Sequence, residues 1–249
     1  MLSNKQAARF RFLAFIALFV IIFLMTVRGK SYYTIGIFPF LIAAGAVSFD
    51  SSLKSKAARI ILPVLLVILT IPGLPMGLPV YKADGLVKYF SILEKRYGLI
   101  LGRRFEDNSI HSLPQDYADM IGWEELTAAA AKAWNMIDDK KAAFIYGENY
   151  GEASALTIIG KKYGLPEAVC FNESFMYWFP REFDPDITSF VYVNYEPGVD
   201  VRELFKKITK IGGITNPNSR EYGASVYLCQ EPVESFNYFW KIRTKDMVR

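Results

Sequence analysis

The sequence predicts an α-helical membrane region of three transmembrane helices followed by an α/β soluble domain with a mainly parallel sheet. Three observations predict it. Charge is absent from residues 12–27, 31–49 and 60–81, and each run approaches or reaches the roughly 20 residues a helix needs to cross about 30 Å of hydrocarbon. Beyond residue 114, short apolar runs with strand character alternate with segments of helical spacing, the order expected of strands and crossover helices. The composition agrees, with 52% apolar and 15% aromatic residues in a chain of 249, as for a membrane-associated protein with a folded extramembrane part.

The membrane region is expected over residues 1–80, with spans at about 12–27, 32–49 and 60–78. The first run competes with a secretory signal, because Lys5, Arg9 and Arg11 precede it. Met25-Thr26-Val27-Arg28 offers no small-residue cleavage site, however, and the next apolar run begins almost at once, which favours retention as a span. The third run carries Pro63, Pro72, Pro75 and Pro79, so its later part is expected to leave the membrane irregularly. Between the first two runs, Arg28-Gly29-Lys30-Ser31-Tyr32-Tyr33 places cationic heads beside amphipathic rings, a combination suited to the headgroup level.

Orientation follows from Lys and Arg in the short connections. Lys5, Arg9 and Arg11 mark the N-terminal arm, and Lys54, Lys56 and Arg59 mark the second connection; the hairpin holds only Arg28 and Lys30. The richer segments are expected in the cytoplasm, which places Lys30 and the C-terminal domain together on the opposite, non-cytoplasmic face of the membrane. The apolar runs call for a lipid bilayer as partner, and a net charge of +4 spread along the chain needs no nucleic acid to explain it. Cys170 and Cys229 both fall in the outer domain, where a disulfide is permitted, yet both stand in apolar strand-like runs that suit buried thiols equally.

Residues 81–113 read as a juxtamembrane connector, with Leu86, Tyr89, Phe90 and Leu93 at helical spacing before a loop of Arg103, Arg104, Glu106 and Asp107. The single histidine, His111, has no second ligand at metal spacing. The α/β domain then occupies residues 114–249. Trp123, Leu126, Ala130, Trp134 and Ile137 form one helical face, with Glu124 and Glu125 at the positive end of the helix dipole. Strands are expected at residues 142–146, 167–171, 189–195 and 225–229. Helices are expected at residues 153–163, closed by Gly164 and Pro166, along the face Val201, Leu204, Phe205, Ile208 and Ile211, and at residues 236–242.

Ligands of such sheets lie beyond the carboxyl ends of strands. The turn containing Asn149, Tyr150 and Glu152 is at one such end, and Asn172, followed by Phe175, Tyr177, Trp178 and Phe179, is at the next. The turn lacks the Lys-Ser or Lys-Thr pair of a phosphate loop, and Glu148 and Glu152 would repel a phosphate. Amide, carboxylate and flat aromatic groups together suit a hydroxyl-rich ligand such as a sugar. The alternative is that Glu152 caps its helix and the aromatics rest on lipid. Asp116 and Asp119 could present two carboxylates together on a helical turn.

Four motifs in order carry a resemblance: Gly29-Lys30-Ser31-Tyr32-Tyr33 with Phe38-Pro39-Phe40-Leu41, then residues 113–125 (LPQDYADMIGWEE), Asn149-Tyr150-Gly151-Glu152-Ala153, and Tyr163-Gly164-Leu165-Pro166. Together they resemble the C-terminal part of bacterial polytopic glycosyltransferases of the C-type fold, similar to dolichyl-phosphate-mannose protein mannosyltransferases and lipid A aminoarabinose transferases. The resemblance implies an integral membrane enzyme taking a polyprenyl-phosphate-linked sugar at the outer face of the inner membrane. Lys30, Tyr32 and Tyr33 would then meet the donor phosphate, and Asp116, Asp119, Asn149, Tyr150, Glu152, Asn172 and Trp178 would contribute to acceptor or sugar binding. The residues themselves indicate no cofactor, while the resemblance allows a divalent metal. Glu173, Met176 and Phe179 depart from the amide, aromatic and glycine of the family pattern. The family's catalytic aspartate lies in an outer loop of a longer membrane region, so no catalytic residue is assigned. The chain is expected to act as part of a larger enzyme, partnered by further transmembrane segments, and not to turn over alone. A tethered, noncatalytic glycan- or partner-binding module is the competing expectation.

Overall fold

The computed structural model describes residues 10–27, 31–53, 55–100 and 102–245, and the chain forms two compact units, Met1–Leu74 and Pro75–Arg249. In the first unit, α1 (Arg11–Thr26) is followed by a 3-10 turn over Ser31–Ile37, α2 (Phe38–Ser52) and α3 (Lys56–Thr70). Ser55 starts α3 by accepting from the Ala58 N–H, as N-cap serines do. A 3-10 turn at Ile71–Gly73 carries the chain into α4 (Leu74–Gly77), so the prolines interrupt the third run by a single tightened turn.

The expectation of three transmembrane helices is corrected here. Two continuous helical stretches, Tyr32–Ser52 and Lys56–Gly77, are long and apolar enough to cross a membrane by length and composition. The 16 residues of α1 extend only about 24 Å, short of about 30 Å of hydrocarbon. Neither α2 nor α3 buries a single residue in its own unit.

The second unit opens with α5 (Ala83–Tyr97), which Gly98 closes in the left-handed conformation, where the missing Cβ removes the steric penalty. Its Leu86 and Phe90 join Leu113 and Tyr117 in a small satellite core. The short α6 (Gln115–Ala118) leads into α7 (Trp123–Asn135), followed by β1 (Ala143–Gly147), α8 (Tyr150–Ile158), β2 (Ser189–Asn194), α9 (Val199–Leu204), β3 (Phe205–Gly213), β4 (Ser225–Pro232) and α10 (Phe236–Thr244).

The sheet runs β1-β2-β4-β3. Among the strands of the described residues, only β1 and β2 pair in parallel; β4 is antiparallel to both β2 and β3. The expected mainly parallel sheet is therefore a mixed one, for two local reasons. Residues 167–171 contribute a single bridge, Val169 to Tyr146, in place of a strand. The segment expected as a helix over residues 201–211 is helical only to Leu204, and from Phe205 it returns along the sheet.

Period-two alternation divides the core between the two sheet faces. Ile145, Val191, Val193, Val226 and Leu228 face an aliphatic layer completed by Leu126, Ala130, Ala133 and Trp134 of α7 and by Ala153 and Leu156 of α8. Alanines along α7 let its backbone approach the strands. Each fully covered aliphatic side chain here contributes about 1.5–3 kcal/mol. On the opposite face Phe144, Tyr146, Phe190, Tyr192 and Tyr227 meet Phe205, Phe236 and Trp240, with Ile187, Val201 and Leu204 beside them, so this layer is mainly aromatic. Cys170 belongs to the first layer and Cys229 to the second. Both are buried free thiols, pushed up to about 11 and about 12 by burial.

Candidate functional site

The parallel pair β1 and β2 ends in register, Gly147 opposite Val193, so the residues that follow, Glu148 and Asn194, emerge side by side at the carboxyl ends. The Glu148 N–H donates to the Val193 carbonyl at 3.1 Å, which fixes the departing chain against its neighbour. Gly147 must be small, because a Cβ there would stand 2.8 Å from the Ala153 nitrogen. That closeness lets α8 start directly at the strand end.

Beneath Glu148 and Asn194, on the aromatic face, lies a cavity of about 150 Å³. Tyr146 and Tyr192 stack across the strand pair, centroids 5.8 Å apart at 11°. Phe171 stands 5.6 Å from Tyr146 and 4.9 Å from Trp240, and the indole of Trp240 is pinned by donating to the Pro180 carbonyl at 2.7 Å. At the rim, the Tyr192 hydroxyl donates to Glu148 Oε2 at 2.9 Å and accepts from Asn194 Nδ2 at 2.9 Å. Asp200 at the start of α9 and Arg243 near the end of α10 form an ion pair at 3.5 Å, and both line the cavity. Burial, reinforced by the charge of Glu148, pushes the phenols of Tyr146 and Tyr192 far above their ordinary range, so both remain neutral hydroxyls. The site thus combines ring faces, one carboxylate, one amide and one cation–carboxylate pair.

None of the residues expected from sequence to bind the sugar or acceptor lines this cavity. Asn149 and Glu152 are engaged with each other. The Asn149 side chain accepts from the Glu152 N–H at 2.9 Å, and Glu152 Oε2 accepts from the N–H groups of Glu148 at 2.8 Å and Asn149 at 3.2 Å. This capping box makes Glu152, only 1% exposed, a helix-start residue, and burial lifts its carboxyl to about 7. Tyr150 is exposed. Asp119 is held by Arg220 at 3.2 and 3.3 Å, which also pairs with Glu106 at 3.6 Å, whereas Asp116 is exposed and apart from that network. Asn172 is exposed, and its N–H meets Cys170 Sγ at 3.2 Å. Trp178, 74% exposed, borders a separate hollow of about 170 Å³ with Phe175 and Phe179. Of the expected phosphate-binding residues, Lys30 lies outside the described residues. Tyr32 and Tyr33 sit on the 3-10 turn of the first unit with rings in edge contact at 4.7 Å.

Tyr192, Asn194, Asp200, Trp240 and Arg243 escaped the sequence reading as binding residues, while Glu148 figured in it as a carboxylate of the turn that would repel phosphate. One signal for them was present: aromatics at alternate positions, Phe144 and Tyr146 in one strand, Phe190 and Tyr192 in the other, each run ending in a polar residue. Among the described residues, no group of three or more His, Cys, Asp or Glu side chains is arranged to hold a metal ion, so the divalent metal allowed by the resemblance finds no fitting donor set there. Comparisons with models of known protein families, with curated proteins and with solved structures give no match.

Proposed function

We propose that the second unit binds a single sugar ring in the aromatic cavity, and that the chain serves a membrane glycosyltransferase of the polyprenyl-phosphate-sugar class as its recognition part. The observation that carries the reading is the cavity itself: hydrogen-bonding groups gathered at one rim over stacked rings, at the carboxyl ends of the parallel strand pair β1 and β2. Ring faces receive the apolar faces of a pyranose while hydroxyls exchange bonds with Glu148, Tyr192 and Asn194. A volume of about 150 Å³ is close to that of cavities known to accept one six-membered ring, and well below pockets for extended ligands. The four sequence motifs support the transferase class, with its lipid-linked donor and its site of action outside the cytoplasm.

Support for the bilayer comes from the first unit, where large apolar side chains such as Phe19, Ile42 and Leu69 are each more than 60% exposed. Apolar surface on that scale requires a lipid or protein cover. Recognition without transfer is the second reading, favoured by the engagement of the carboxylates: Glu148 with a tyrosine hydroxyl, Asp200 with Arg243 and Asp119 with Arg220. None stands ready as a general base.

The test is a ligand-observed NMR titration of the full chain in lipid nanodiscs with a panel of monosaccharides, comparing wild type with Tyr192→Phe. Losing the hydroxyl that links Glu148 to Asn194 is expected to weaken sugar binding roughly tenfold, as for a hydrogen bond to a charged group. Sugar binding that ignores the substitution, or no sugar binding at all, would exclude the cavity as the sugar site. Adding a polyprenyl-phosphate sugar and following its consumption separates transfer from recognition alone.

A further inference from the structure

We infer that the group entering the aromatic cavity carries a positive charge, so that the site selects an ammonium-bearing ligand over its neutral counterpart; this rests on the cavity being the binding site. The argument is one of charge balance against aromatic walls. Three charged side chains line the cavity: Glu148, Asp200 and Arg243. Arg243 and Asp200 form an ion pair at 3.5 Å, so their charges offset each other. Glu148 has a hydroxyl as its partner, Tyr192, and among the described residues no lysine or arginine pairs with it. The cavity therefore holds one carboxylate in excess.

The walls favour the same sign. Ring faces carry the negative end of the aromatic quadrupole and attract cations, and here Tyr146, Tyr192, Phe171 and Trp240 surround the space below that carboxylate. The tyrosines stay neutral, since burial holds their phenols protonated, so they add ring attraction without adding charge. An ammonium seated here would meet ring faces on its apolar side and Glu148 on its hydrogen-bonding side. An anionic ligand would face the unbalanced carboxylate and would have to share Arg243 with Asp200. The ammonium could belong to an amino sugar or to a headgroup-like amine without a sugar ring.

The experiment titrates the full chain in nanodiscs with glucose, glucosamine, N-acetylglucosamine and ethanolamine. Glucosamine is expected to bind roughly tenfold more tightly than glucose or N-acetylglucosamine, the combined scale of a cation–π contact and a rim ion pair. In Glu148→Gln the ratio of glucosamine to glucose affinity is expected to fall to about one. Asp200→Asn, which frees Arg243 and cancels the excess charge from the other side of the rim, is expected to reduce the same ratio. Equal binding of glucose and glucosamine by the wild type, or a preference surviving both substitutions, would overturn the inference while leaving the sugar site in place. Binding of ethanolamine without any sugar would uphold the ammonium preference and overturn the sugar reading. Silence from all four ligands would overturn both.

Discussion

Glu152 shows how one buried carboxylate organises the rim of the cavity. Its oxygen holds the N–H groups of Glu148 and Asn149, so the position of Glu148 depends on a side chain that never reaches the ligand. Burial lifts the carboxyl from 4.5 to about 7. A folded-state value above the unfolded one means that, between those limits, the unfolded chain has released a proton that the fold retains. Stability therefore falls as pH rises through the window and levels off above it. At about 1.4 kcal/mol per unit, the cost approaches about 3 kcal/mol at pH 8. Glutamine keeps an accepting oxygen and does not titrate. Glu152→Gln is thus expected to match wild type near pH 4.5 and to exceed it by up to about 3 kcal/mol at pH 8, read by urea unfolding followed through tryptophan fluorescence. Parallel pH profiles for the two proteins would show that Glu152 is not the titrating group.

At the scale of elements, β3 explains where sequence reading stopped. Phe205, Ile208 and Ile211 recur at three residues and predict a helix, yet they lie in a strand. Phe205 is the last cap of α9 as well as the first residue of the strand. Ile208 opposes Cys229, and an irregularity between Lys210 and Gly212 resets the register. Ile208 packs against the aromatic layer and Ile211 against the aliphatic one; a strand covered on both faces carries apolar residues at either parity, and here their three-residue spacing imitates a helical stripe. β1, β2 and β4 were legible as short, nearly continuous apolar runs, and α7 from its stripe. β3 is also an edge, pairing with β4 alone among the described residues, and it exposes Lys206, Lys207 and Lys210. Lysines on an open edge discourage pairing with a second molecule. Replacing all three by valine is expected to drive the purified protein into higher oligomers in size-exclusion chromatography at concentrations where wild type elutes as one species. An unchanged elution profile would mean that the edge is guarded by something other than charge.

For the whole molecule, the binding residues were hard to read because the cavity draws on distant parts of the chain. Glu148, Tyr192, Asp200 and Arg243 come from four elements, and no local pattern marks Arg243 as the partner of Asp200. Residues clustered in sequence were easier to nominate, and the structure spends Asn149 and Glu152 on a helix cap and Asp119 on Arg220. The compartment of the second unit follows a simpler logic. Under the proposed membrane reading it depends on one crossing, that of Lys56–Gly77, which is long and apolar enough by length and composition, and on the basic group Lys54, Lys56 and Arg59 at its start; whether the short α1 crosses does not enter. Basic residues beside a span hold that end in the cytoplasm, so the proposed membrane reading puts the second unit outside. Because Cys170 and Cys229 are buried and their thiols resist ionisation, a cysteine placed at exposed Glu234 would report alone. Glu234→Cys is expected to react with a membrane-impermeant maleimide on intact cells without permeabilisation. Changing Lys54, Lys56 and Arg59 together to glutamine should lower that labelling severalfold as orientation becomes mixed. Labelling that required permeabilisation in the otherwise unaltered chain would place the sugar site on the cytoplasmic side and remove the outer-face transferase reading.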